Sequence, residues 1–184
     1  MKVAVVDYGM GNLRSVSKAV EHVAPQAQVI VTSDPDVVLR SDRVVFPGQG
    51  AMPDCMREME HRGLREAVVE SAAQKPFLGI CIGLQMLFGF SEEGETPGLG
   101  ILQGVVKRFP KDRMVDAASN RKLKVPHMGW NKVHQVFSHT LWAGIDTGSR
   151  FYFVHSYFVQ AQNRAIVAGE ADYGICFTCA VARD

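Results

Sequence analysis

Cys81 lies in the string Phe77-Leu-Gly-Ile-Cys-Ile-Gly-Leu-Gln85, a Gly-x-Cys-x-Gly core that ends one apolar run and opens another. Read as strand, sharp turn and helix, this is the cysteine form of a nucleophile elbow. Gly79 and Gly83 supply the small volume and free dihedrals that let strand and helix close around a strained residue. The thiol then projects from a helix N-terminus, where free N–H groups and the macrodipole favour the thiolate. Those N–H groups, Ile82 first among them, can also hold the oxyanion that forms when the sulfur attacks an acyl carbon. A buried core cysteine is the other reading. It has no need of glycines at both minus two and plus two.

A nucleophile on an elbow needs elements to carry it, and the chain alternates strands with helices. Residues 3–6 read as a buried strand, and 12–23 as a helix with Leu13, Val16, Ala19, Val20 and Val23 on one stripe. A second strand covers 29–32. Ser33-Asp34-Pro35 then gives a capping residue and an N1 proline before a short helix over 36–39. The third strand, 43–46, runs into Pro47-Gly-Gln-Gly50; a helix pair spans 51–74, and the elbow follows. This βαβαβ order predicts an α/β fold, a three-layer doubly wound, mostly parallel sheet with helices on both faces. After Gly98 the strands 101–109, 132–136, 151–160, 165–170 and 175–182 predict a β-rich, partly antiparallel C-terminal half. Residues 91–100 and 111–124 read as mobile loops. No linker or repeat divides the chain, so 1–184 is taken as a single domain.

Such a sheet binds ligands beyond the carboxyl ends of its strands. That places residues 7–12, the Pro47-Gly-Gln-Gly50 turn and Cys81 on one rim. The Asp7-Tyr-Gly-Met-Gly-Asn12 loop does not read as a dinucleotide fingerprint. Arg14 stands where the third glycine is required, and Thr32 ends the next strand without a carboxylate. The backbone of Gly48, Gln49 and Gly50 could point an N–H at an oxyanion beside Cys81. A plain strand-to-helix turn explains the same spacing.

Bulk properties narrow the class. Twenty basic and nineteen acidic residues leave a net charge of +1, so no nucleic-acid or anionic-membrane partner is expected. The longest apolar stretch, 76–90, is too short to span a bilayer, and no signal peptide precedes the first strand. The four cysteines, 55, 81, 176 and 179, show no metal-ligand spacing. Cys176-Phe-Thr-Cys179 falls in a strand, where residues three apart face opposite sides. No metal or cofactor is expected, and the thiols fit a reducing cytoplasm.

Five segments in order resemble the class I glutamine amidotransferases, and within them the glutaminase subunit of imidazole glycerol phosphate synthase. They are Asp7-Tyr-Gly-Met-Gly-Asn12, Pro47-Gly-Gln-Gly50, Gly79-Ile-Cys-Ile-Gly-Leu-Gln85, Val125-Pro-His-Met-Gly-Trp-Asn131 and Tyr152-Phe-Val-His-Ser-Tyr157. The resemblance implies that Cys81 attacks the glutamine side-chain amide, forms a γ-glutamyl thioester and releases ammonia. The ammonia would pass to a (β/α)8 cyclase subunit that makes imidazole glycerol phosphate and an aminoimidazole carboxamide ribotide. It further implies that Gln85 holds the amino-acid end of glutamine, that His155, Ser156 and Tyr157 contact its backbone, and that Gly48 to Gly50 form the oxyanion strand. Met10, Gly11, Asn12, Trp130 and Asn131 match the face toward the cyclase. The family more often has Val at the place of Gln49 and Pro at that of Met10; neither change removes a main-chain donor.

The family completes its triad with a His and a Glu in a His-Pro-Glu segment, and none of the six histidines, 22, 61, 127, 134, 139 and 155, has a glutamate two residues on. His22 and His61 read as surface residues, and His134 and His139 as solvated at a turn. The matched base and carboxylate are therefore expected beyond Asp184, with the chain inactive as it stands. Two readings follow: a glutaminase subunit lacking its C-terminal end, or a non-catalytic module that still docks the cyclase. An unrelated cysteine hydrolase would not need the Pro-His-Met-Gly-Trp-Asn segment.

Overall fold

The computed structural model describes residues 1–110, 114–115 and 120–183. By its contacts the chain falls into two compact units, Met1–Leu102 and Gln103–Asp184, close to the change of character expected after Gly98.

In the first unit β1 (Lys2–Val6), β2 (Gln28–Thr32), β3 (Arg43–Phe46) and β4 (Phe77–Gly79) form a parallel sheet in the order β2-β1-β3-β4. Val5 pairs with Val31 on one side and Val45 on the other, and Phe46 pairs with Gly79. Near-continuous apolar strands suit a parallel sheet covered on both faces. Against Val3, Val5 and Val45 pack Leu13, Val16 and Val20 of α1 (Leu13–Val23). Ala19 and Val23 of the expected stripe are exposed, Val23 because it ends the helix.

Capping sets where the helices start. The Asn12 side chain accepts the Ser15 N–H at 3.3 Å ahead of α1. Asp34 accepts the Asp36 N–H at 2.9 Å, with Pro35 opening α2 (Pro35–Arg40). The helix pair is α3 (Met52–His61) and α4 (Arg65–Gln74). After the elbow, α5 (Ile82–Met86) is a single short helix. The apolar run then becomes β5 (Phe88–Ser91), where Phe88 is buried and Phe90 exposed in strand alternation, paired antiparallel with β6 (Thr96–Pro97).

The second unit carries β7 (Leu102–Arg108), β8 (His127–Lys132), β9 (His134–Gln135), β10 (Arg150–His155), β11 (Tyr157–Ala161), β12 (Val167–Asp172) and β13 (Cys176–Val181). Five of them run in the order β7-β11-β13-β12-β9, while β8 and β10 form a separate antiparallel ribbon. The strand expected over 151–160 is thus two strands in different sheets. It breaks at Ser156, whose carbonyl accepts the Phe109 N–H at 3.0 Å instead of continuing the ribbon. The strand expected over 132–136 is likewise divided: residue 132 ends β8, and 134–135 form β9. Phe109, Met114, Ala171 and Phe177 make one core, and Val133, Trp142 and Ala168 another. Half of the loop expected over 111–124 lies outside the described residues, as does Asp184.

Candidate active site

Within the first unit, β1, β3 and β4 deliver their three loops to one rim, and glycines let the loops touch. A Cβ on Gly11 would lie 3.4 Å from Gly48 Cα. One on Gly48 would fall 1.7 Å from Tyr8 Oη and 2.4 Å from Ile82 Cγ2, so no side chain fits between the Pro47-Gly-Gln-Gly50 turn and the elbow. Cys81 itself sits at φ 58°, ψ −117°, a left-handed conformation for a residue with a Cβ. Such strain costs of order 1–3 kcal/mol and persists only where the surroundings impose it. They do: a Cβ on Gly83 would meet Phe46 O at 1.9 Å, and one on Gly79 would meet Gly83 O at 2.9 Å.

The sulfur's electrostatics correct one sequence expectation. Although Cys81 is exposed as a residue, the packing around its sulfur penalises the charged form and pushes the thiol pKa up. The Ile82 N–H works the other way, and the Glu93 carboxylate adds to the rise. Burial wins over the helix N-terminus. The resting group is the thiol, and an attack by the thiolate requires a base.

Gln85 is buried, and its Oε1 has no hydrogen-bond partner. A buried acceptor left unpaired carries a desolvation cost that an incoming donor would relieve. Glu93 is a residue that sequence reasoning missed, because it lies in the segment read as a mobile loop. That segment is tied down. Glu93 accepts the Met52 N–H at the start of α3 at 2.9 Å, the Glu93 N–H goes to Ser91 Oγ at 3.1 Å, and Thr96 Oγ1 donates to Glu93 O at 2.7 Å. The Ser91-Glu-Glu-Gly string, soon after the nucleophile, is the signal that could have found it. Met10 packs over the turn, its Cε 2.7 Å from where a Gly50 Cβ would lie; Gly11 and exposed Asn12 follow it on the same loop.

The remaining expected residues lie in the second unit. His155 Nδ1 is 2.8 Å from Tyr157 O, a carbonyl that can only accept, so Nδ1 carries the proton and Nε2 is an acceptor. His127 Nδ1 therefore donates to His155 Nε2 across 2.9 Å. Burial, helped by His155, holds His127 down to about 4, and burial also lowers His155 despite its bond to Tyr157. Both rings are neutral at pH 7, and each lies among Phe109, Phe153 and Phe177. Asn131 turns inward, its amide donating to Asp172 O at 2.7 Å. Trp130 turns outward, 67% exposed and edge-on to Tyr152 at 5.6 Å, with Met128 and Val154 exposed on the same ribbon. It is not a core aromatic. His22, His61 and His134 are exposed as expected, whereas half-buried His139 accepts the Leu141 N–H at 3.0 Å. Cys176 is exposed while Cys179 packs into the core, consistent with opposite faces of β13. Among the described residues no group of His, Cys, Asp or Glu is placed to hold a metal, and no helix is long and apolar enough to cross a membrane.

The glutamine amidotransferase class-I family matches residues 4–183, which is nearly all of the chain. The chain belongs to the class-I glutamine amidotransferases. Its relatives include the imidazole glycerol phosphate synthase subunit HisH of Aromatoleum aromaticum, 67% identical over 98% of this amidotransferase and 85% of that protein. The subunit of the same name from Thiobacillus denitrificans is 65% identical over 98% of this chain and 78% of its own, and that of Chromobacterium violaceum 55% over 100% and 85%. The amidotransferase fold recurs in a glutamine amidotransferase crystal structure with TM-score 0.63, at 14% identity over 93% of this chain and 84% of that one. A second, from Thermotoga maritima, has TM-score 0.56 at 16% identity over 95% and 72%.

Proposed function

We propose that this amidotransferase is the glutaminase subunit of an imidazole glycerol phosphate synthase, working in the cytoplasm beside a (β/α)8 cyclase. The observation that carries the reading is the strained Cys81 elbow held against the Pro47-Gly-Gln-Gly50 turn.

In the reaction, a base takes the Cys81 proton and the sulfur attacks Cδ of glutamine. The oxyanion is held by N–H groups of Ile82 and of the turn at Gly48, Gln49 and Gly50. Collapse of the intermediate breaks the C–N bond. The departing nitrogen takes the proton and leaves as ammonia, and water then hydrolyses the γ-glutamyl thioester to glutamate. Each step is redox-neutral and draws on protein groups and water. The unpaired Gln85 Oε1 accepts from the substrate ammonium, with the Glu93 carboxylate as its counter-charge, while the main chain at His155, Ser156 and Tyr157 meets the substrate backbone. Met10, Gly11 and Asn12, together with the ribbon face at Trp130, meet the cyclase; Asn131 supports that ribbon from its inner side. The cyclase passes the ammonia into imidazole glycerol phosphate and an aminoimidazole carboxamide ribotide.

The base and its orienting carboxylate are supplied from outside these 184 residues, because no histidine in the sequence is followed by a glutamate two positions on. The same observation favours a second reading, a module that docks the cyclase without cleaving glutamine. In a chain extended through a His-x-Glu segment and bound to cyclase, Cys81→Ala should abolish glutamine-dependent synthesis and leave ammonia-dependent synthesis intact. Glutamine turnover surviving in that variant removes Cys81 from the mechanism. Glutamate release by the 184-residue form at the extended form's rate would assign the base to a residue within it. If neither form releases glutamate while both bind the cyclase, the docking module stands.

A further inference from the structure

The ribbon of β8 and β10 ends on two histidine rings that the reaction above does not use. His127 opens β8 and His155 closes β10, directly opposite each other in the antiparallel register. The His127 Nδ1–H donates to His155 Nε2 at 2.9 Å. His155 then reaches forward along its own chain, its Nδ1–H donating to Tyr157 O at 2.8 Å. On the far side of the pair His127 Nε2 is left as an acceptor, with the Asn131 amide nitrogen 3.5 Å away. That amide is oriented independently. Asn131 Oδ1 accepts the Lys132 N–H at 2.8 Å, and Nδ2 gives its other hydrogen to Asp172 O at 2.7 Å. Asn131, His127, His155 and the Tyr157 carbonyl thus form one chain in which every donor points the same way.

This chain crosses a break in the strands. The Phe109 N–H bonds Ser156 O, so in the antiparallel alternation Tyr157, opposite Arg108, exchanges no hydrogen bond with β7. The Tyr157 carbonyl faces away from that strand, and the His155 ring takes it. The ring therefore ties the ribbon that ends at residue 155 to the sheet that begins again at 157. Around the pair the surroundings are aromatic: the His127 ring stacks on Phe153 at 4.8 Å and on Tyr173 at 3.9 Å. The Tyr173 hydroxyl does not compete for the rings, being spent on Lys124 O at 2.9 Å. A buried ring nitrogen that loses its partner keeps its desolvation cost, so removing one ring's N–H unsettles the next ring.

We infer that His127 is a positioning residue for glutamine: acting through the His155 ring, it fixes the main chain at residues 155–157 that meets the substrate backbone. This rests on the glutaminase reading, which gives that main chain its ligand. The backbone end of glutamine does not react, so contacts to it hold ground state and transition state alike. Their loss appears in KM and leaves kcat in place.

The test is steady-state glutamate release by the extended chain in complex with its cyclase, for wild type, His127→Phe and His127→Asn, beside thermal melts. Phenylalanine keeps the aromatic packing and removes the N–H. Asparagine gives up the packing and puts an amide N–H where Nδ1 was. His127→Phe should raise the glutamine KM about tenfold with kcat within about twofold of wild type, and His127→Asn should keep KM within about threefold. In melting temperature the order should reverse, with His127→Asn the less stable for its lost packing. A pair that serves packing alone would leave His127→Phe nearer wild type in both measurements. A wild-type KM in His127→Phe, or a KM raised tenfold in folded His127→Asn, overturns the proposal. Should one variant fail to fold, the KM of the other decides by the same criterion. Should wild type release no glutamate, the glutaminase reading fails first and this one with it; with wild type active, the KM comparison bears on the histidine pair alone.

Discussion

The two compact units hold their functional groups by different means. In Met1–Leu102 the geometry is made by the main chain: glycines at 48, 79 and 83 bring the turn, the elbow strand and the helix after the strained cysteine into contact distances that no Cβ would allow. In Gln103–Asp184 it is made by side chains: a neutral His127–His155 pair inside an aromatic cluster, and an outward face of Trp130, Tyr152, Met128 and Val154. Chemistry on an amide requires atoms fixed to a few tenths of an ångström, which backbone packing supplies. Recognition of a partner requires exposed area, which side chains supply.

The sharpest way to break this contrast is to add one methyl group in each unit. Gly83→Ala places a Cβ 1.9 Å from the Phe46 carbonyl, a backbone atom that cannot step aside. The expected cost is about 3 kcal/mol or more, with loss of glutaminase activity as the elbow opens. Gly129→Ala, at φ +143° with nothing within 4 Å, should cost only the backbone strain, about 1–2 kcal/mol, and leave turnover in place. Thermal melts and glutamate release on both variants measure the difference. Equal losses would mean that the glycines at the elbow are not there for packing.

The next largest effect belongs to the ribbon. Trp130→Ala should weaken cyclase binding roughly 30- to 100-fold, as loss of an exposed aromatic anchor does, with stability changed by no more than about 1 kcal/mol. Titration of the labelled variant with cyclase would show it. Unchanged affinity would remove Trp130 from the interface.

The smallest effect is the histidine pair's. His127 has a folded pKa of about 4 against an ordinary value of 6.5, so as pH falls the unfolded chain takes up the proton first. Stability is full above pH 6.5 and declines as pH falls toward 4, by at most about 1.4 kcal/mol per pH unit for this ring. His155, lowered as well, adds to the decline in the same direction. Urea midpoints at pH 7.5, 6 and 5 test this, and His127→Phe should flatten the profile. A profile as steep in that variant would place the titration elsewhere.

Much of the first unit was legible because its signals are local. The Gly-x-Cys-x-Gly spacing predicts close packing, and the Phe46 contact with Gly83 is that packing. Asp34-Pro35 predicts a cap, and Asp34 caps. What stayed hidden depends on distant partners. The thiol pKa follows from desolvation and Glu93, and Glu93 is fixed by an N–H forty-one residues away. The break at Ser156 is invisible in an unbroken run of β-formers, because it is set by a bond from Phe109. Tyr8 reads as one loop residue among others until its hydroxyl is found under Gly48.

The central claim is that Cys81 carries a γ-glutamyl group during turnover. Intact-protein mass spectrometry of the extended chain and cyclase, acid-quenched during steady-state glutamine hydrolysis, reads this directly. A glutamyl adduct is expected that maps to the Cys81 peptide, is discharged by hydroxylamine and is absent from Cys81→Ala. Sustained glutamate release with no adduct on that peptide, or with the adduct on another cysteine, would contradict it.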